Sequence, residues 1–187
     1  MAIPITFELS ETDIEYFREI MRRAMDRSGD LSKDEIIQNA RSMLVEVRTS
    51  DCSDFIRQRM NQLETLIGMV VDRGWGLDEE DAHRVLQALS YFSEPEDLIP
   101  DHIPALGFLD DAIMVDLVSR ELKHDIEAYR DFVVFRAAES NRLGEDAMKL
   151  GKSDWLEERR KQLHARMQRR RGGFGGKRSG GSGMSFF

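Results

Sequence analysis

The sequence predicts an all-α protein: an irregular helical bundle with a central Pro/Asp-rich helical corner and a disordered, basic, Gly-rich C-terminal tail. Three observations carry that expectation. Apolar residues recur at helical spacing through segments that open on Ser or Asp, and no stretch sustains the alternation of a strand. Three of the four prolines fall between Ser93 and Val118, interleaved with five aspartates and a regular set of apolar residues. Charge is also divided along the chain. Residues Trp155–Phe187 hold nine Lys/Arg against two Glu, or +7, whereas the rest holds 18 basic and 33 acidic residues, or −15, which leaves −8 overall.

Taken in order, Ile3–Leu9 reads as a short lead-in, and Ser10 with Asp13 marks the first helix start, followed by Ile14, Phe17, Met21, Ala24 and Met25 on one face. Ser32-Lys33-Asp34-Glu35 is a capping box ahead of Ile36, Ile37, Ala40, Met43, Leu44 and Val47. After a break at Thr49–Ser53, Ile56, Met60, Leu63, Ile67 and Val70 give a third helix that Arg73-Gly74-Trp75-Gly76 ends. Asp78–Asp81 opens a fourth through Val85, Leu86, Leu89 and Phe92. Beyond Asp110 the stripe Ile113, Leu117, Leu122, Ile126, Tyr129, Val133 and Ala137 predicts one long helix that stops near Asn141–Gly144. A last, largely solvated helix takes in Trp155, Leu156, Leu163 and Met167. The expected organisation is a helical domain over 1–150, a basic terminal helix over 151–169 and a flexible tail over 170–187.

Between the fourth and fifth helices lies the corner. Pro95 disfavours helical dihedrals at Glu94, and Pro100 and Pro104 each interrupt the chain again after less than two helical turns. Leu98, Ile99, Ile103, Leu106 and Leu109 supply apolar surface to bury it, with Leu98, Ile99, Ile103 and Leu109 expected inward. Gly107 is expected to permit a special dihedral or close packing. Asp110 is expected to cap the helix that follows, and Asp97 to order the Pro95 turn.

The pattern Pro95, Asp97-Leu98-Ile99-Pro100-Asp101, Ile103-Pro104, Leu106-Gly107, Leu109-Asp110-Asp111 resembles the DUF1232, or YkvA-like, family over roughly Val85–Leu122. The resemblance implies a small helical module with no established general activity, in some cases within membrane-associated proteins. His102 departs from the pattern, standing where an apolar, often aromatic, residue is usual.

Candidate chemistry is sparse. Asp97, Asp101, His102, Asp110 and Asp111 form a candidate interaction corner, and with Asp116 these aspartates are hard oxygen donors of the kind a divalent cation takes. Caps, turn bonds and solvated carboxylates account for the same residues, and the spacing is not that of an EF-hand. His83, His102, His124, His164 and the single Cys52 assemble no zinc motif. Cys52 lacks the partners of a nucleophile. Trp75, Tyr91, Phe92, Tyr129, Phe132 and Phe135 sit where core aromatics are expected. In the tail, Arg169, Arg170, Arg171, Lys177 and Arg178 are candidate phosphate contacts and Phe174 a candidate base-stacking ring. A single Arg-Gly-Gly unit with no phosphate loop gives no sequence-specific reading motif, and the same charges are available to the chain's own acidic body.

With 41% hydrophobic residues, the 187-residue chain is expected to form one substantial domain. One cysteine excludes an internal disulfide and points to a reducing, cytoplasmic setting. No signal peptide or membrane span is expected. The leading functional expectation is a noncatalytic interaction or scaffold module with an unknown protein partner and no cofactor, possible at the membrane periphery. The alternatives are RNA association through the basic tail and metal-dependent activity at the aspartate-rich corner.

Overall fold

In a computed structural model of the chain, residues 6, 8–27, 31–93, 98–103, 106–143 and 154–175 are described. They form seven α-helices, with no strand among the described residues: α1 Glu11–Arg27, α2 Lys33–Thr49, α3 Asp54–Val71, α4 Glu79–Ser90, α5 Leu109–Glu121, α6 Lys123–Leu143 and α7 Asp154–Gly175. A 3-10 turn, Tyr91–Ser93, continues α4 toward the corner.

The helix starts follow the side chains that satisfy their first N–H groups. The Ser10 N–H donates to Asp13 Oδ2 at 2.8 Å while the Asp13 N–H returns to Ser10 Oγ at 3.3 Å. Ser32 and Glu35 make the corresponding reciprocal pair. Ser53 caps α3 through the Ile56 N–H and Asp78 caps α4 through the Asp81 N–H. Each replaces a water-bonded orphan donor by an internal bond, an effect of about 1 kcal/mol.

α5 is the centre of the molecule. Ala112, Met114, Val115, Leu117 and Val118 are buried around most of its circumference, together with Asp110 and Asp111. A helix buried around most of its circumference, with only Ile113, Asp116 and Arg120 on its more open face, shows no clean apolar stripe, which is why the stripe through Ile113 and Leu117 missed Met114, Val115 and Val118. α5 packs chiefly on α3, which also contacts α2, α4 and α6. The expected single helix beyond Asp110 divides at Leu122, where the backbone leaves helical dihedrals (φ −91°, ψ 19°). The Leu122 N–H still reaches Val118 O, and its own carbonyl accepts from Ile126. α5 and α6 therefore advance along α3 in one direction. Arg59 meets Asp116 at 3.3 Å, a Cβ on Gly68 would lie 3.0 Å from Tyr129 Oη, and Asp72 meets Arg136 at 2.7 Å.

α7 returns antiparallel along α6, with Arg166 paired to Asp131 and Arg170 to Glu127. Leu156, Leu163 and Met167 are its buried face. The helix runs six residues past Arg169, to Gly175, so Arg170 and Arg171 are helical. Phe174 lies in that last turn, and Lys177 and Arg178 fall outside the described residues.

Candidate functional site

The corner joins the end of α4 to the start of α5 through short turns. The Ile103 N–H donates to Pro100 O at 3.0 Å, Gly107 N–H to Ile103 O at 2.9 Å and Leu109 N–H to Leu106 O at 3.1 Å. Gly107 is packed so closely on the Asp101 peptide that a Cβ would sit 2.1 Å from the Asp101 carbonyl oxygen. The expected close packing at Gly107 is thus the means by which the turn closes.

Asp110 does not cap α5. The N-cap is Phe108, whose φ of 64° places a buried non-glycine residue in the left-handed region, and no side chain accepts a cap bond there. Asp110, 1% exposed, instead reaches back across the corner, its Oδ2 accepting from the Leu98 N–H at 2.9 Å and the Ile99 N–H at 3.1 Å. The carboxylate sits on the second residue of the helix, which directs it at the preceding loop rather than at its own first turn. The expected inward set is corrected as well. With the Leu98 amide turned toward Asp110, the Leu98 side chain is 41% exposed and Leu106 is 39% exposed. Ile99, Ile103 and Leu109 are half-buried.

The remaining corner candidates divide. His102 is exposed, Asp101 is half-buried and Asp111 is buried, the two aspartates each engaged in a contact. Asp97 lies outside the described residues. Asp116 is held by Arg120 at 2.8 Å and by Arg59 at 3.3 Å. Among the described residues no three His, Cys, Asp or Glu side chains converge in a way that could hold a metal ion. Nor, among them, is any helix long and apolar enough to cross a membrane.

Two charged clusters brace the helices away from the corner. Asp72, the residue after α3, accepts from Arg136 at 2.9 and 2.7 Å, from the Gly74 N–H at 2.9 Å and from Tyr129 Oη at 3.3 Å. Burial lifts the Asp72 carboxyl, but the Arg136 bonds and charge and the Gly74 and Trp75 N–H groups outweigh it and hold the group below its ordinary range. Burial and the neighbouring Asp72 push the Tyr129 hydroxyl up to about 12. A cleft of about 490 Å³ opens beside this pair, lined by Gly68, Val71, Arg73 and Gly74 as well as the pair itself.

The second cluster joins three helices. Arg171 of α7 donates to Asp81 of α4 and Asp125 of α6, both at 2.5 Å, and Arg84 lies 3.7 Å from each carboxylate. Asp81 is 3% and Asp125 2% exposed. Burial pushes the Asp125 carboxyl up, opposed by Arg171 and Arg84. His164 packs edge-on to Trp75 with ring centroids 4.2 Å apart, and burial, then the Arg160 charge, push it down. Of the candidate phosphate contacts, Arg170 and Arg171 are thus engaged by the chain's own carboxylates, while Arg169 is exposed.

Neither cluster was anticipated from the sequence, although a signal exists. Asp81 shares a face with Val85 and Leu89, Asp125 with Leu122 and Tyr129, and Arg136 with Phe132. A charge on an apolar face calls for a buried partner. Which partner answers it depends on helices far apart in sequence.

Residues 84–117 match the family described as "Protein of unknown function (DUF1232)", a stretch of 34 of the 187 residues that runs from α4 through the corner and most of α5. No curated protein and no solved structure matches the chain.

Proposed function

We propose, from the premise that the chain carries a DUF1232 segment, that this protein is a noncatalytic interaction module whose Pro/Asp corner docks a partner protein. One observation carries the reading: the corner buries a carboxylate and exposes two leucines. Stability alone favours the reverse, because burying a leucine gains about 1.5–3 kcal/mol whereas a buried polar group must be fully bonded to break even. Here Asp110 is enclosed to fix the Leu98–Ile99 backbone, and Leu98 and Leu106 are left in solvent. A turn braced from inside loses little conformational freedom when its exposed apolar side chains meet a partner, which favours affinity.

The basic end gives less support to RNA association, since Arg166, Arg170 and Arg171 are spent within the fold. The test is site-specific. Leu98→Asp and Leu106→Asp fall on exposed positions and should change folding stability by less than about 0.5 kcal/mol. In-cell crosslinking should give a defined adduct with the unaltered protein, and that adduct should weaken at least tenfold in both variants. An adduct of unchanged yield in both would remove the corner from the interface.

A further inference from the structure

α7 lies across the turn between α3 and α4 as well as along α6. The Arg160 guanidinium passes so close to Gly76 that a Cβ there, already strained at a φ of 56°, would sit 3.1 Å from Nη1. One helical turn later His164 stands edge-on to Trp75, with ring centroids 4.2 Å apart, and Trp75 is fully buried against Tyr129 and Phe132. His164 is thus the side chain through which α7 covers the aromatic centre of the turn. We propose that His164 is an acid-operated release for α7: its neutral ring seats the helix on Trp75, and its protonated ring unseats it. The release concerns α7 alone and stands whether or not the corner docks a partner.

The surroundings suit the uncharged ring. His164 Nε2 is enclosed without a hydrogen-bond partner among the described residues, and so is the Nε1–H of Trp75 beside it. A neutral nitrogen in that place forgoes one bond, whereas an imidazolium gives up the hydration of a full charge. Charges face the ring from every element packed against it. On α7, Arg160 and Arg171 oppose a proton on His164, and from α4 Asp81 and its cap Asp78 favour one. Those carboxylates are already engaged, Asp78 by the Asp81 N–H and Asp81 by Arg171, with Arg84 at 3.7 Å. α6 adds Asp125, held by the same Arg171, and the Tyr129 hydroxyl, bonded to Asp72. The turn contributes Asp72 itself, paired with Arg136. Burial, with the Arg160 charge next, therefore prevails and pushes the His164 pKa below its ordinary 6.5.

Docked, His164 holds a proton less tightly than the same ring on a free helix, so docking is at full strength above pH 6.5. It weakens as pH falls from 6.5 through the lower, docked value, because release then takes up a proton. Asp125 acts in the opposite sense: burial holds its carboxyl above the ordinary 3.8, so the folded state keeps that proton better than the unfolded one. A His164 variant that leaves Asp125 in place separates the two. What release uncovers is apolar, namely Trp75 and the α6 surface on which Leu156, Leu163 and Met167 are buried. Acid thus opens a face that neutral pH keeps closed.

The test uses the full chain and amide hydrogen exchange between pH 7.5 and 5.5, each rate corrected for intrinsic amide chemistry. Exchange across 160–175 should rise at least threefold over that range while α3 and α5 stay protected, and His164→Gln should lose the rise. An imidazole titration of the unaltered protein by NMR should place the His164 midpoint below 6.5. Exchange that does not change with pH in the unaltered chain would overturn the release, as would a His164 midpoint at or above 6.5. An equal rise in His164→Gln would assign the acid response to other groups and overturn it too. If His164→Gln frees α7 at every pH, Arg160→Gln decides. Without the Arg160 charge the His164 midpoint should move toward 6.5 and the fold-rise in exchange should shrink, and a rise of unchanged size would overturn the proposal.

Discussion

At Gly107 a single missing methyl group sets the path of the chain. The Asp101 carbonyl occupies the space a Cβ would fill, 2.1 Å from its ideal position, so no rotamer change relieves the overlap and backbone must move. Gly107→Ala is expected to cost about 1–3 kcal/mol by the measure of overpacked sites, read as a lower urea midpoint at unchanged slope. An unchanged midpoint would mean that the turn relaxes freely. Asp72 gives a second residue-scale expectation. Its folded-state carboxyl lies below the ordinary aspartate value of 3.8, so its contribution to stability is full above that pH and is lost as pH falls through the lower, folded value. Removing its partner with Arg136→Met leaves Asp72 with the Gly74 and Trp75 N–H groups and Tyr129 Oη but without its charged donor, a loss of about 1.5–3 kcal/mol at pH 7. That loss should shrink as Asp72 protonates in acid. Urea titrations of both proteins at pH 7 and below pH 3.8 check it, and a pH-independent difference would assign the effect to packing of the Arg136 side chain.

At the scale of elements, helix existence was legible because caps and apolar period are local. Ser32 with Glu35, and Asp78 ahead of Val85, announce their helices within a single turn. The corner was legible as an interruption through its prolines, and its tight point through Gly107. Its facing was not, because the amides that Asp110 draws inward belong to residues 11 and 12 positions earlier. The end of α7 was misplaced for a related reason. Arg-Arg-Arg-Gly-Gly reads as tail by composition, yet Arg171 has carboxylates 90 and 46 positions away that favour its staying helical. Arg171→Met should therefore loosen α7 from α4 and α6. The expected loss is about 2–3 kcal/mol, below that of a fully buried pair because the guanidinium is a quarter exposed. Hydrogen exchange should rise across 160–175 while α3 and α5 stay protected; uniform protection would show that Leu156, Leu163 and Met167 hold α7 without the ion cluster.

For the whole molecule, the division into an acidic body and a basic end has an internal outlet. Arg166, Arg170 and Arg171 return three positive charges to Asp131, Glu127, Asp81 and Asp125, so the formal +7 of the final segment overstates what a polyanion meets. This makes a quantitative expectation for the RNA alternative. On single strands the logarithm of the binding constant falls with the logarithm of salt at a slope near −0.7 per phosphate neutralised. If the docked arginines stay in place, Arg169, Lys177 and Arg178 remain, and the slope should be about −2. If RNA draws Arg170 and Arg171 away from their carboxylates, five cations engage and the slope should steepen to about −3.5. The second case also carries the cost of leaving Asp81 and Asp125 buried without Arg171, so binding should then be weak and accompanied by faster exchange in α7. A single-stranded RNA titration at several salt concentrations, read with exchange on the same samples, separates the outcomes. A slope near −3.5 with submicromolar affinity at physiological salt would show that the acidic body does not retain its basic helix. A slope near −2 with α7 protected would place the cluster of Asp81, Asp125, Arg84 and Arg171 on the side of architecture.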